Sequence, residues 1–141
     1  MITSLRLDKP EFGTGPINLA EIMVYNGDGV NIALNGKVTA SSYLGGTDGS
    51  GLVDGSTDYN YNSKTSIHLG DDDKTNSWIQ IDFVNPIKYE NIKSIRIMNR
   101  ADCCQDRIVG TYLSLTNGNN MDNRFSHEIL DAKMEYNIII N

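Results

Sequence analysis

Residues 99–110, NRADCCQDRIVG, hold the densest cluster of groups that could do chemistry in this chain. Both cysteines stand here side by side, between arginines seven positions apart, with Asp102 just before them. Arg100 and Arg107 are planar, forked donors suited to fixing vicinal oxygens. Asp102 can pair with one of them and lock its rotamer. Cys103 and Cys104 admit two readings. They can be reduced neighbours, one buried and one exposed. They can also close on each other, although a trans peptide sets their Cα atoms about 3.8 Å apart where an ordinary disulfide wants about 4.4–6.8 Å. That ring is strained, a condition tolerated mainly at functional sites, and it presents a rigid, polarizable, apolar plate. A closed zinc site needs four Cys or His ligands, and two cysteines with two poorly spaced histidines do not make one. A sulfur plate beside two held guanidinium groups suits a ligand with hydroxyls on one face and C–H on the other, which describes a sugar.

Such a cluster needs a scaffold. An apolar run at 92–98 leads into it and another at 111–116 leaves it, so the cluster reads as a loop at the end of a β-sheet, where sites are usually mounted. The rest of the chain repeats this style. Short alternating runs at 4–7, 17–25, 37–42, 77–83, 124–130 and 136–140 are separated by Gly, Asn and Asp clusters. No helical periodicity of ten or more residues stands out. The pattern predicts an all-β antiparallel sandwich. Residues 77–83, SWIQIDF, alternate cleanly and read as a central strand. Residues 10–16 and 117–123 read as loops, and the last strand is expected near the first, since domain termini are often close.

At 141 residues, 39% hydrophobic and 21% charged, the chain fits a single globular domain over 1–141 with a real core. Its net charge of −6 disfavours nucleic acid, whose binding needs a positive field. No apolar run approaches the roughly 18 residues that would span a membrane. The start, MITSLR, lacks the basic and apolar regions of a signal peptide, so export is expected to be specified in a longer parent chain or not at all. No N-x-Ser/Thr sequon occurs.

The pattern Arg100-x-Asp102-x4-Arg107, with Cys103-Cys104 inside it and a histidine upstream, resembles the F-type lectins, or fucolectins. These are fucose-binding modules of the discoidin (coagulation-factor F5/8 type C) superfamily. The resemblance covers residues 3–116 and implies a discoidin-like jelly roll. It implies that His68, Arg100 and Arg107 hold the ring oxygen and adjacent hydroxyls of L-fucose, that Asp102 supports them, and that the Cys103–Cys104 plate packs on the ring. Loop residues Tyr43, Leu44 and Tyr61 would cradle the methyl group. The segment LAEIMVYN resembles a strand that normally closes the family's domain but stands near the start here, so the chain resembles a circular permutant. The resemblance also implies a structural Ca2+ site. Gly51 and Ser56 would give carbonyls, Asp54 a carboxylate, Thr65 an oxygen, and the transposed strand the Ala20 carbonyl and the Glu21 carboxylate. Two carboxylates with several carbonyls suit a hard cation; nothing here is an EF-hand loop. An acidic stretch, LGDDDKTN at 69–76, lengthens the span between His68 and Arg100 relative to the family.

The leading expectation is therefore a calcium-stabilised lectin domain whose partners are fucosylated glycans or other carbohydrate. It would work on a cell surface, on a virion or in secretion, as a homo-oligomer or within a multidomain chain, because weak single-site sugar binding gains from avidity. The alternative is a sugar-independent adhesion or assembly domain of a larger surface or virion protein. An enzyme is not expected: no nucleophile–base pair is visible, and Asp71-Asp72-Asp73 read as a solvated loop rather than a placed acid–base pair.

Overall fold

The computed structural model describes residues 1–11, 13, 15–42, 49–57, 67–68, 75–118 and 120–141, and of residues 67, 68, 75 and 120–123 the backbone alone. Among the described residues the strands are β1 (Ile2–Glu11), β2 (Asn18–Asn26), β3 (Lys37–Ala40), β4 (Ile67–His68), β5 (Thr75–Ile87), β6 (Ile92–Asn99), β7 (Tyr112–Asn117), β8 (Asn120–Glu128) and β9 (Glu135–Ile139). They form a five-stranded sheet in the order β3-β5-β1-β7-β8 and a four-stranded sheet in the order β4-β2-β6-β9. Every pairing is antiparallel. The expected all-β sandwich is present.

Alternation explains the layering. In β5, Ile79, Ile81 and Phe83 are buried while Trp78, Gln80 and Asp82 are half-buried on the other face, as a period of two requires. Leu5 and Leu7 of β1, Leu113 and Leu115 of β7, Ile22 and Val24 of β2, and Ile95 and Ile97 of β6 complete one shared core. On the outer side of the four-stranded sheet, Ala20, Met23 and Met98 form a smaller cluster with Tyr25 against it. On the outer face of the other sheet, Arg6 stacks over the Trp78 ring, 4.2 Å from its centre. Ser4 donates to Asp82 there at 2.6 Å.

The structure corrects two boundaries. β1 runs through Pro10 to Glu11 rather than stopping at residue 7, because it lies inside its sheet and pairs on both edges, with β5 and β7. The polar stretch 117–123 is not one long turn. The chain turns at Gly118 (φ +75) and re-enters the sheet at Asn120, opposite Asn117; pairing with β7 overrides the weak strand propensity of asparagine. The last strand lies near the first, as expected, but across the sandwich rather than beside it: Ile2 pairs with Ile87, Asn141 donates to the Tyr89 carbonyl, and Ile2 and Ile138 share the core. β9 pairs with β6 in the four-stranded sheet, while β1 belongs to the other.

Ile97 is fully buried on the strand that feeds the cysteine loop. Ile97→Ala is expected to destabilise the fold by about 2–5 kcal/mol in urea denaturation. A loss under about 1 kcal/mol would mean that this part of the core can collapse around the change.

Candidate functional site

β6 ends on Asn99, which is fully buried although polar. Its side-chain amide donates to the Gln105 carbonyl at 2.8 Å and the Lys133 carbonyl at 2.9 Å. Its side-chain oxygen accepts the Arg100 N–H at 2.8 Å, and its own main-chain N–H donates to Met134. Gln105 reaches back to the carbonyls of Arg100 (2.9 Å) and Ala101 (3.1 Å). The loop is thus closed by side-chain amides on main-chain groups, which need such partners away from water.

Within that frame Arg100 and Asp102 form the expected pair, and it is bidentate: Nε to Oδ1 at 2.7 Å and Nη2 to Oδ2 at 3.1 Å. Two parallel bonds fix the plane of the guanidinium as well as its position. The hydrogen bonds from Arg100 hold the Asp102 carboxyl below the usual aspartate range, with the Arg100 charge adding to the effect. Cys103 and Cys104 are bonded to each other (S–S 2.13 Å, Cα–Cα 3.7 Å), so the strained ring is the reading that holds. Cys104 sits at φ +67, ψ +29, a left-handed conformation unusual for a side chain with a Cβ. The chain then makes one 3-10 turn, Gln105–Ile108, whose buried Ile108 ties it to the core. Arg107 lies on this turn, half-buried, and takes no part in the ion pairs among the described residues.

His68 enters through the backbone. It pairs with Asn18 in β4·β2, while the next residue of β2, Leu19, pairs with Asn99. His68 therefore stands two strands from Asn99 at the same end of the sheet, roughly 10 Å away at ordinary strand spacing. Tyr43, Leu44, Tyr61 and Thr65, together with most of the acidic stretch 69–76, lie outside the described residues.

Of the expected cation ligands, Glu21 and Asp54 come together beside β2. A β-bulge at Ala20 shifts the register between Leu19 and Glu21, and bulges commonly re-aim a side chain beside a site. Glu21 is 1% exposed. Its Oε2 accepts the Gly55 N–H at 2.7 Å, while Oε1 is buried with no hydrogen-bond partner. Burial pushes its carboxyl up to about 9; the Gly55 N–H opposes this and the nearby Asp54 carboxyl adds to it. Asp54 is exposed and accepts the Ser56 N–H at 2.9 Å. Gly51 is buried in the 3-10 turn Ser50–Val53 just before it. Among the described residues no three His, Cys, Asp or Glu side chains converge, so a cation here would rely on two carboxylates and main-chain oxygens. An orphaned, buried carboxylate oxygen facing a second carboxyl fits that demand.

Reading the sequence missed four supports of the loop: Lys9, Gly15, Asn99 and Gln105. Lys9 carried a usable signal. The parity Leu5, Leu7, Lys9 places a lysine in the inward row of β1, where a charge needs dedicated partners. Asn99 and Gln105 carried none, because a polar residue in a polar loop looks like turn chemistry.

A pH dependence follows from the Arg100–Asp102 pair. The folded Asp102 carboxyl is lowered from its ordinary 3.8, so its stabilisation is in full above that value and is lost as pH falls through the lower folded one. Carboxyl NMR is expected to show Asp102 titrating below 3.8 in the wild type and back near it in Arg100→Ala. Equal midpoints in the two proteins would show that the pair does not persist in solution.

The chain is similar to eel lectins. It is 33% identical over 98 residues to Fucolectin-4 of Anguilla japonica, covering 66% of this chain and 50% of that protein. It is 34% identical over 98 residues to Fucolectin-3 of the same species, with the same coverage, and 31% identical over 90 residues to Fucolectin of Anguilla anguilla, covering 60% and 54%. The chain spans about half the length of the curated relatives it matches. No family model and no solved structure matches it. With a β-sandwich of two antiparallel sheets, an arginine–aspartate pair and a vicinal disulfide on one loop, and these relatives, the chain belongs to the F-type lectin, or fucolectin, family.

Proposed function

We propose that the chain is a non-catalytic carbohydrate-binding domain that takes L-fucose on glycans. The observation that carries this is the loop 99–107, where a bidentate Arg100–Asp102 pair directly adjoins the Cys103–Cys104 disulfide plate. Arg100 and Arg107 donate to vicinal sugar oxygens, with His68 completing the polar side from β4. The Cys103–Cys104 plate takes the C–H face of the ring. Tyr43, Leu44 and Tyr61 contribute from their loops. Two fucolectin relatives with 66% of this chain aligned support the choice of fucose. The vicinal disulfide suits an oxidising location, at a cell or particle surface or in secretion.

Calcium is the structural cofactor of this reading. Glu21 and Asp54 would supply carboxylates, and Ala20, Gly51, Ser56 and Thr65 oxygens. A bound divalent cation neutralises the two adjacent carboxyls and stiffens the strand and turn that carry them. It does not touch the sugar.

Calorimetric titration of L-fucose into the oxidised, calcium-supplemented protein is expected to give saturable heat. Arg100→Ala removes charged hydrogen bonds and is expected to weaken binding about 10- to 100-fold. Wild-type and mutant proteins that both stay silent across a fucosylated glycan panel would sink the lectin reading in favour of a sugar-independent adhesion domain.

Calcium has its own test. A ligand at about a hundredfold excess over its Kd stabilises by roughly 2.7 kcal/mol, so chelation is expected to lower Tm by several degrees. Glu21→Gln is expected to abolish that calcium response. A Tm indifferent to calcium and chelator in the wild type would remove calcium from the account.

A further inference from the structure

Lys9 is the largest fully buried side chain described, at 2% exposure. Its ammonium donates to two carbonyls from different loops: Gly15, between β1 and β2, at 2.6 Å, and Arg107, on the 3-10 turn, at 2.7 Å. Burying an ammonium is unfavourable unless it is well hydrogen-bonded. An apolar side chain in the row of Leu5 and Leu7 would fill this place without that penalty. The charge does not attract Arg107 either. Burial lowers the Lys9 pKa, Asp106 opposes this, and Arg107 adds a repulsive contribution. What the ammonium does is join two main-chain segments that no strand pairing joins.

The second half of the arrangement is Gly15, buried with φ +134. A Cβ at this position would stand 3.0 Å from Arg107 Nε, 3.2 Å from Cδ and 3.3 Å from Cγ. The stem of Arg107 therefore lies directly on the Gly15 α-carbon. Lys9 holds the Arg107 carbonyl, and the bare glycine backbone forms the floor under its side chain. Arg100 has a carboxylate to fix its plane; Arg107, outside the ion pairs among the described residues, is oriented by this floor instead.

We infer that Lys9 and Gly15 are positioning residues for Arg107. The β1–β2 connection, remote in sequence from the Arg-Asp-Cys-Cys motif, pre-sets the second arginine of the site before ligand arrives. The inference rests on the lectin reading for its consequence, sugar affinity, but not for the arrangement itself. Pre-organising one long side chain spares the ordering that binding would otherwise require.

The test reads arginine side-chain Nε–Hε signals by NMR, with Arg107 assigned through its loss in Arg107→Lys, beside calorimetric titration of L-fucose. In the sugar-free wild type, 15N relaxation is expected to show the Arg107 Nε as rigid as the backbone. In Gly15→Ala and Lys9→Met the Arg107 signal is expected to shift toward that of a mobile arginine, while the Asp102-paired Arg100 signal stays put. The Kd for fucose is expected to rise roughly three- to tenfold. A merely structural role would move Tm and leave the Arg107 signal in place, which would overturn the inference. A freely mobile Arg107 in the wild type would overturn it too, and needs no variant to fold. If the wild type binds no fucose, the lectin reading fails, while the relaxation data still decide whether Lys9 and Gly15 hold Arg107.

Discussion

The candidate site depends on the hydrogen bonds of Asn99. A loop that projects two arginines and a strained cysteine ring cannot be held by apolar packing alone, because its useful atoms must face outward. Its backbone must be held from behind, and one fully buried amide does most of this. Asn99 captures carbonyls at Gln105 and Lys133 and accepts the N–H of Arg100. Two of these contacts close the loop on itself, and the third ties it to the segment leading into β9. With Gln105 bonded back to residues 100 and 101, the start and the 3-10 turn of the loop form one unit. The left-handed Cys104 is carried inside that unit. Such strain persists only where the surroundings over-determine it.

β2 links this unit to the second candidate site. Its first residue, Asn18, pairs with His68, and Leu19 pairs with Asn99, at the end of the sheet that carries loop 99–107. The bulge follows at once. Leu19 and Ile22 both reach the main core, while Ala20 joins the outer cluster and Glu21 meets Gly55. Were the strand regular here, strict alternation over the three steps from Ile22 would turn Leu19 away from the core. The bulge thus serves both sites: it keeps the strand start anchored beside Asn99 and turns a buried carboxylate toward residues 54 and 55. A cation proposed there would act on the binding loop through one short, packed strand rather than through contact with ligand.

The two ends of the sandwich differ in character. The arginine and cysteine side chains gather where β2 begins and β6 ends. At the other end of the same strands lies a hollow of about 460 Å³, lined by Val30, Ile32, Leu34, Val84 and Pro86 among others. Beside it lies another of about 630 Å³, lined by Asn26, Asp28, Glu90 and Lys93 among others, so shape alone would favour this end for a ligand. The proposed carbohydrate would favour the loop end instead, because a sugar needs fixed polar donors beside an apolar surface, and loop 99–107 carries an arginine–aspartate pair next to a disulfide.

Much was legible in the chain itself, for reasons of short range. Alternation in SWIQIDF set strand and facing, since the two-residue period belongs to the strand. Adjacent cysteines fixed which sulfurs could meet, and Arg100-x-Asp102 placed a donor fork and a carboxylate close enough to pair. Fold class, the cysteine ring and one ion pair needed no knowledge of distant residues. The remainder was a matter of which segments meet. That Lys9 reaches Arg107, that Gly15 underlies its side chain, that Glu21 is sealed beside Asp54, and that β9 lies on β6 follow from contacts between residues far apart in sequence. Nothing in local spacing encodes them. Sequence determined the groups available for binding. Tertiary structure decided their orientation, because burial and long-range hydrogen bonding, which arise only when the sheets close on each other, set the position of a buried ammonium, amide or carboxylate.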